Sequence, residues 1–162
     1  MSERTSAERV PLTSAGRHQL EEELTRLQAR LDELRDLLEE AHADRTADDD
    51  ERAAALSLLD EYARAEARMA EVRAILEMAV DAPPPLAGVA GLGTKVKVRE
   101  EDGTEETFVL VSPAEASAAA GRVSVQSPLG QALIGRRLGE KATVNAPQGS
   151  WEVEVVGVEA SS

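Results

Sequence analysis

Residues 20–41 read LEEELTRLQARLDELRDLLEEA, with apolar residues at alternating spacings of four and three. The positions of this first stripe are Leu20, Leu24, Leu27, Leu31, Leu34, Leu38 and Ala41. A heptad spacing of this kind places all the side chains along one seam of a single helix. A continuous row of leucines is unfavourable in water, so the stripe predicts a second helix that covers it.

A second stripe of similar length follows and supplies that partner. Its positions are Ala55, Leu58, Tyr62, Ala65, Met69, Val72, Leu76 and Ala79. We therefore predict an antiparallel hairpin, with one helix from an N-cap at Thr13 to about Ala43 and a second from about Glu51 to Ala79. A helix of about 30 residues extends roughly 45 Å. The turn between the helices is thus expected at the end of a rod.

That turn is strongly acidic. It contains four consecutive acids, Asp48, Asp49, Asp50 and Glu51. Converging carboxylates are typical ligands of magnesium or calcium, although the cluster lacks the glycine and the spacing of an EF-hand. The alternative is that the acids cap the second helix and stabilise the positive end of its dipole. The sequence leaves both interpretations open.

Composition excludes several classes of function. The chain has a net charge of −13 and no cysteine, which argues against independent nucleic-acid binding and excludes thiol chemistry. No serine has a nearby His and Asp arrangement, so we expect no enzyme activity of its own. No apolar run is long enough to cross a membrane, and residues 1–9 are polar, unlike a signal peptide. A cytoplasmic protein is the expectation.

Beyond three prolines at residues 83–85, the periodicity changes from helical to twofold. The pattern predicts strands at 94–99, 106–111, 123–126, 141–145 and 151–158. A short helix is predicted over 112–119, and another begins with Ser127 as N-cap and Pro128 at its first position. The expected fold is α+β, with a coiled-coil hairpin at residues 10–82 and a small antiparallel sheet with a helix across it at 83–162.

Three motifs resemble the Gre family of bacterial transcription elongation factors. They are PLTSAG at 11–16, SVQSPLGQALIG at 124–135, and APQG at 146–149 followed by WEV at 151–153. The resemblance implies a coiled coil followed by an FKBP-like domain that docks on the rim of the RNA polymerase secondary channel. The docking region maps onto Gln126, Ser127, Pro128 and Leu129. The coiled coil would enter the channel of a bacterial polymerase as part of a monomer, with possible indirect contact with nascent RNA.

In cleavage-promoting family members, an Asp and a Glu three residues later help hold the polymerase's second magnesium. Alignment back from Arg68 puts Asp48 and Glu51 on these positions, and the chain would need no cofactor of its own. The residues at the family's leucine, asparagine and tyrosine positions are instead Asp49, Arg52 and Ala55. This tip resembles that of Gre homologues that inhibit the polymerase without promoting cleavage.

The resemblance therefore favours a regulator that places Asp48, Asp49, Asp50 and Glu51 near the catalytic magnesium and reduces nucleotide addition. One alternative is a cleavage-stimulating factor that rescues backtracked complexes. Another is a structural coiled-coil adaptor with no role at an active site. A peptidyl-prolyl isomerase is suggested only by the FKBP-like fold, and a chain with one Trp, one Tyr and one Phe lacks the aromatic pocket for it.

Overall fold

The computed structural model describes residues 9–43, 46 and 48–161. Residues 1–8 of the polar N-terminal stretch, three residues of the predicted turn (44, 45 and 47) and residue 162 lie outside these described residues. The chain divides into two units. One, the hairpin unit, is His18–Met78; the other, the C-terminal unit, combines the chain up to Arg17 with the chain from Ala79 onward.

The hairpin unit contains most of two long helices, α1 at Ser14–Ala43 and α2 at Asp49–Met78. The predicted cap of α1 is confirmed, because Thr13 Oγ1 accepts a hydrogen bond from Gly16 N at 3.0 Å. No helix among the described residues combines the length and the apolar character that a bilayer crossing requires.

The two stripes form the predicted seam up to Leu76; the last predicted position, Ala79, lies beyond the end of α2 and belongs to the C-terminal unit. No stripe residue is exposed, and Leu31, Leu34 and Val72 are fully buried. Ion pairs along the flank fix the antiparallel direction: Arg30 near the middle of α1 pairs with Glu61 at 2.6 Å. Glu23, earlier in α1, pairs with Arg68, later in α2, at 2.7 Å. The seam thus joins the helices as the heptad spacing predicts.

The C-terminal unit includes a pairing that the sequence did not reveal. β1, at Val10–Leu12, pairs in parallel with β2, at Ala79–Asp81. Arg17 donates to Asp81 at 3.0 Å beside this pair. The strands entering and leaving the hairpin therefore belong to the C-terminal unit, whereas the sequence-based division placed residues 10–17 and 79–82 with the hairpin.

The main sheet has five strands in the order β5-β4-β3-β7-β6. Their bounds are Thr94–Glu100 for β3, Glu105–Val111 for β4, Arg122–Ser124 for β5, Lys141–Ala146 for β6 and Gly149–Ala160 for β7. All predicted strands are present. The prediction of a purely antiparallel sheet is wrong at one edge, because β5 pairs with β4 in parallel. The chain between these two strands crosses over instead of forming a hairpin, which allows the parallel pairing.

That crossover replaces the helix predicted over 112–119. It consists of two short 3₁₀ turns, Pro113–Glu115 and Ala118–Ala120, and it ends at Gly121 with φ of 66°. A positive φ favours glycine, and it turns the chain into β5. Helix α3, at Pro128–Leu133, follows β5.

The core lies between α3 and one face of the sheet. Its central residues are Val96, Val98, Leu110, Leu133, Val144 and Val155. On β3, the buried residues alternate with exposed Lys95, Lys97 and Arg99. This alternation is the period-two pattern from which the strands were predicted. The result is a fixed platform for the loop before α3.

Candidate functional site

The acidic tip begins α2 with a reciprocal pair of hydrogen bonds. Glu51 N donates to Asp48 Oδ1 at 2.9 Å, and Asp48 N donates to Glu51 Oε2 at 2.9 Å. This is a capping box, in which two backbone N–H groups at a helix start are satisfied by side chains. Asp48 and Glu51 therefore have a structural role in starting the helix.

The remaining tip acids lie in the first turn of α2. The Asp49 side chain is 99% exposed, and it accepts a hydrogen bond from Arg52 at 3.1 Å. Asp50 is also exposed. Negative charge at this position stabilises the positive end of the helix dipole. The helix-capping interpretation of the cluster thus has direct geometric support.

The four acids do not by themselves fit a metal ion. Within the described residues, no group of three or more His, Asp or Glu side chains is arranged to hold one. The carboxylates of Asp48 and Glu51 are directed to backbone N–H groups within the same turn. Within the part of the chain that the structure describes, the tip is therefore not a complete metal cage.

The second candidate region is the loop before α3. The Ser127 hydroxyl accepts from Gly130 N at 3.1 Å and donates to the Ser124 carbonyl at 2.7 Å. It is the predicted N-cap, and its hydrogen-bonding groups are used within the loop. Leu129 packs against the core, whereas Gln126 and Pro128 are exposed. Of the four predicted docking residues, two face outward and two hold the loop in place.

Gly130 fixes the shape of this loop. A Cβ atom at Gly130 would lie 2.0 Å from the Ser124 carbonyl oxygen and 2.9 Å from Val125 Cα. Both are backbone atoms, which cannot rotate away. The close approach therefore requires glycine, and Gln126 and Pro128 are displayed on a backbone with little freedom.

Sequence reasoning missed one buried polar centre, at Glu115. Its side chain is fully buried, and it accepts hydrogen bonds from Thr13 Oγ1 at 2.5 Å and from Ser112 Oγ at 3.0 Å. Arg122 Nη2 lies 3.2 Å from Glu115 Oε1. A Cβ atom at Gly16 would lie 1.6 Å from this same oxygen. Glu115 therefore anchors the start of α1 to the crossover between β4 and β5, as a buried charge that is paired and hydrogen-bonded.

Ion pairs also lower the pKa of two carboxyl groups. The Arg68 guanidinium, which donates a hydrogen bond to Glu23, lowers the pKa of that carboxyl below its ordinary value of 4.5. Lys97 and Arg99 hydrogen-bond to Glu105 on the exposed face of the sheet, and they lower the pKa of this carboxyl as well. Both pairs stabilise the charged form of the acid.

Comparison with known proteins gives the chain a family. Residues 85–160 match the family described as "Transcription elongation factor, GreA/GreB, C-term". A Transcription elongation factor GreA from Streptococcus gordonii is 34% identical over 163 residues, covering 98% of this chain and 98% of that protein. The chain belongs to the GreA/GreB family. The predicted membership is thus confirmed.

Other relatives match in part or in whole. A Transcription elongation factor GreA from Chloroflexus aurantiacus is 41% identical over 96 residues, and the match spans 57% of this chain and 61% of that protein. The GreA of Thermodesulfovibrio yellowstonii is 32% identical over 93% of this chain and 97% of its own length. The chain is also similar to the crystal structure of GreA factor homolog 1 (Gfh1) of Thermus thermophilus. The two sequences are 33% identical, the match covers 94% of this chain and 100% of the Gfh1 chain, and the TM-score is 0.47.

Proposed function

We propose that this protein binds bacterial RNA polymerase and regulates elongation by inserting its hairpin into the secondary channel. The observation that carries the proposal is the acidic tip: a helical hairpin with a packed seam, whose second helix begins with four exposed acids, two of them held in a capping box. In the proposed complex the protein acts as a monomer in the cytoplasm. The catalytic magnesium belongs to the polymerase, and nascent RNA is near the tip.

We further propose that the tip reduces nucleotide addition rather than promoting efficient cleavage. The capping box uses one oxygen of each carboxylate, Asp48 Oδ1 and Glu51 Oε2, and it directs both side chains toward the backbone of the first turn. An N-cap interaction contributes about 0.5–2 kcal/mol, so a cleavage geometry that needs another orientation of the two side chains would have to offset this cost. Positioning an attacking water tolerates little misplacement, and the tip has no described buried neighbour to hold the acids in a new arrangement.

Asp49 and Asp50 are better placed to act without rearrangement. Both are exposed in the first turn of α2, and their charge would be felt at short range, where salt screens least. The bound cation and the basic walls of the channel would attract these carboxylates. The tip would then occupy the space that an incoming nucleotide needs. The proposed effect is therefore obstruction of nucleotide entry that depends on the tip charge.

The test is nucleotide addition and transcript cleavage by stalled elongation complexes over a range of magnesium concentrations. We expect the wild-type protein to slow addition and to cause little cleavage. Replacing the four acids, Asp48 to Glu51, by alanine should return addition to the rate measured without the protein. A matched control removes four exposed acids elsewhere on the hairpin, with alanine at Glu21, Glu39, Glu66 and Glu77. This control has the same net charge as the variant with four alanines at the tip, and it should still slow nucleotide addition.

Two outcomes would overturn this assignment. Rapid cleavage of backtracked RNA that depends on Asp48 and Glu51 would assign the cleavage-stimulating role to the protein. Polymerase activity that is indifferent to the protein, and to the tip substitutions, would favour the adaptor interpretation.

A further inference from the structure

In the described part of the chain, Glu115 is the one charged residue that is buried. It lies in the crossover between β4 and β5. Its Oε1 atom accepts a hydrogen bond from Thr13 Oγ1 at 2.5 Å and from Arg122 Nη2 at 3.2 Å. Its Oε2 atom accepts from Ser112 Oγ at 3.0 Å and from Thr13 N at 3.3 Å. We call Glu115, Thr13 and Gly16 the α1 anchor, because Thr13 and Gly16 belong to the start of that helix.

Gly16 is a sign that this network serves more than the crossover. Its φ is not positive, so the backbone conformation does not require glycine, and glycine weakens a helix relative to alanine. A Cβ atom at Gly16 would lie 1.6 Å from Glu115 Oε1. A glutamate that only joined Ser112 to Arg122 would need no such space. The glycine therefore fits the close approach of the carboxylate to α1.

The helix that the α1 anchor holds is also the first helix of the hairpin. α1 is continuous over Ser14–Ala43, and its residues up to Arg17 belong to the C-terminal unit. The nearby ion pair of Arg17 with Asp81 is exposed, since the Asp81 side chain is 90% exposed, and such pairs contribute little. A buried carboxylate resists separation from its partners more strongly, because an unpaired buried charge is costly. We therefore expect Glu115 to be the main restraint on the first turn of α1.

We propose that Glu115 is a positioning residue, which holds the first turn of α1 so that the acidic tip obstructs nucleotide entry from a defined position. The inference rests on the proposed function, in which the tip acts on nucleotide addition. Glu115 acts through α1 and is not itself a binding group. A helix of about 30 residues extends roughly 45 Å, so a small tilt at its base becomes a large displacement at its far end. Freedom at the α1 anchor would therefore weaken the obstruction.

The first test measures whether the α1 anchor restricts α1 in the full-length protein. The chain has no cysteine, so Glu39→Cys in α1 and Glu101→Cys in the turn after β3 give two unique, exposed sites for spin labels. Pulsed electron paramagnetic resonance then gives the distribution of distances between the two labels. A restrained α1 gives a narrow distribution, and a released one gives a broad distribution.

Two variants disrupt the α1 anchor from opposite sides. Gly16→Ala favours the helix by propensity but displaces the Glu115 carboxylate, and Glu115→Gln removes the charge with little change in size. Glu105→Gln is the matched control, because it removes the same charge at an exposed site on β4 of the same unit. We expect both anchor variants to broaden the distribution and the control to match the wild type. Circular dichroism checks folding, and Gly16→Ala decides the test if Glu115→Gln does not fold.

The second test measures nucleotide addition by stalled elongation complexes over a range of protein concentrations. We expect Gly16→Ala and Glu115→Gln to lose most of the slowing at saturating concentration. The half-saturating concentration should change little, because both positions are buried and no exposed residue is altered. A variant that was only less stable would have less active protein, and a higher concentration would restore the full slowing. In a Glu115→Ala background, Gly16→Ala should have no further effect, because the carboxylate that it displaces is absent.

Four outcomes would contradict the positioning role. Distance distributions and slowing that match the wild type in both anchor variants would overturn this inference and leave the proposed function standing. A broader distribution without a loss of slowing, or the reverse, would overturn it too. Parallel losses of polymerase affinity and of slowing would assign Glu115 to binding instead of positioning. Absence of slowing by the wild type would overturn the proposed function and this inference with it.

Discussion

The two candidate regions both lie at the start of a helix, and they differ in what supports them. At the tip, Asp48 and Glu51 cap α2, and the described residues 48–54 are all exposed. Before α3, Ser127 caps the helix while Gly130 is buried against the backbone at Ser124. The same capping chemistry therefore serves two purposes. Residues at the start of α2 can be substituted without disturbing a core, whereas the start of α3 is part of the packing of the core.

The largest difference in stability between the two regions is expected when Gly130→Ala in α3 is compared with a substitution at the tip. Its new Cβ would meet the Ser124 carbonyl at 2.0 Å, so the loop and α3 must move apart. We expect a loss of about 3 kcal/mol in the free energy of unfolding, as for severe overpacking. Thermal or denaturant unfolding measures it. Asp50→Ala at the tip is the paired variant, and a change of more than about 0.5 kcal/mol there would contradict the comparison, because exposed sites usually change stability by less.

A smaller effect is expected for Ser127→Ala. It removes a cap that accepts from Gly130 N and leaves the Ser124 carbonyl without this hydroxyl donor. The loss should be about 1 kcal/mol, the usual contribution of an N-cap. Ser127→Asp, which can still accept from Gly130 N, serves as the control and should recover much of the stability. If alanine and aspartate are equally destabilising in denaturant titrations, the cap is not what fixes this loop.

The smallest effect concerns the flank of the hairpin, where Arg68 holds the pKa of Glu23 below 4.5. Because the folded-state pKa is lowered, the stabilisation is present above the ordinary pKa and is lost as pH falls through the folded value. The pair is partly exposed, so its contribution should be only about 0.5 kcal/mol. Between pH 6 and pH 3, the melting temperature of the wild type should fall more than that of Glu23→Gln. Parallel curves for the two proteins would show that the pair contributes nothing.

The elements that the sequence predicts well depend on local periodicity. The alternation of three and four identified both seams, and no seam residue is exposed. Ser127 and Pro128 likewise predicted the start of α3, because capping is a property of neighbouring residues. Spacing along one chain was sufficient in these cases, since the interacting positions lie within one turn or one repeat.

What the sequence did not reveal depends on distant partners. Glu115 is buried, and its carboxylate accepts a hydrogen bond from Thr13, 102 positions earlier in the chain. No local pattern separates this glutamate from the many exposed ones. The parallel pairing of β1 with β2 joins chain segments on either side of the hairpin, and it too has no local signal.

The central claim is that the tip acts on nucleotide addition without directing efficient cleavage. Asp48→Asn with Glu51→Gln tests it most directly, because asparagine caps a helix as well as aspartate does and glutamine can complete the capping box. This variant removes two carboxylates and keeps the start of α2, while Asp49 and Asp50 retain their charge. The measurement is the rate of single-nucleotide addition and of transcript cleavage in the same stalled complexes. We predict slow addition with little cleavage for both the wild type and the variant. Rapid cleavage by the wild type that disappears in the variant would contradict the account.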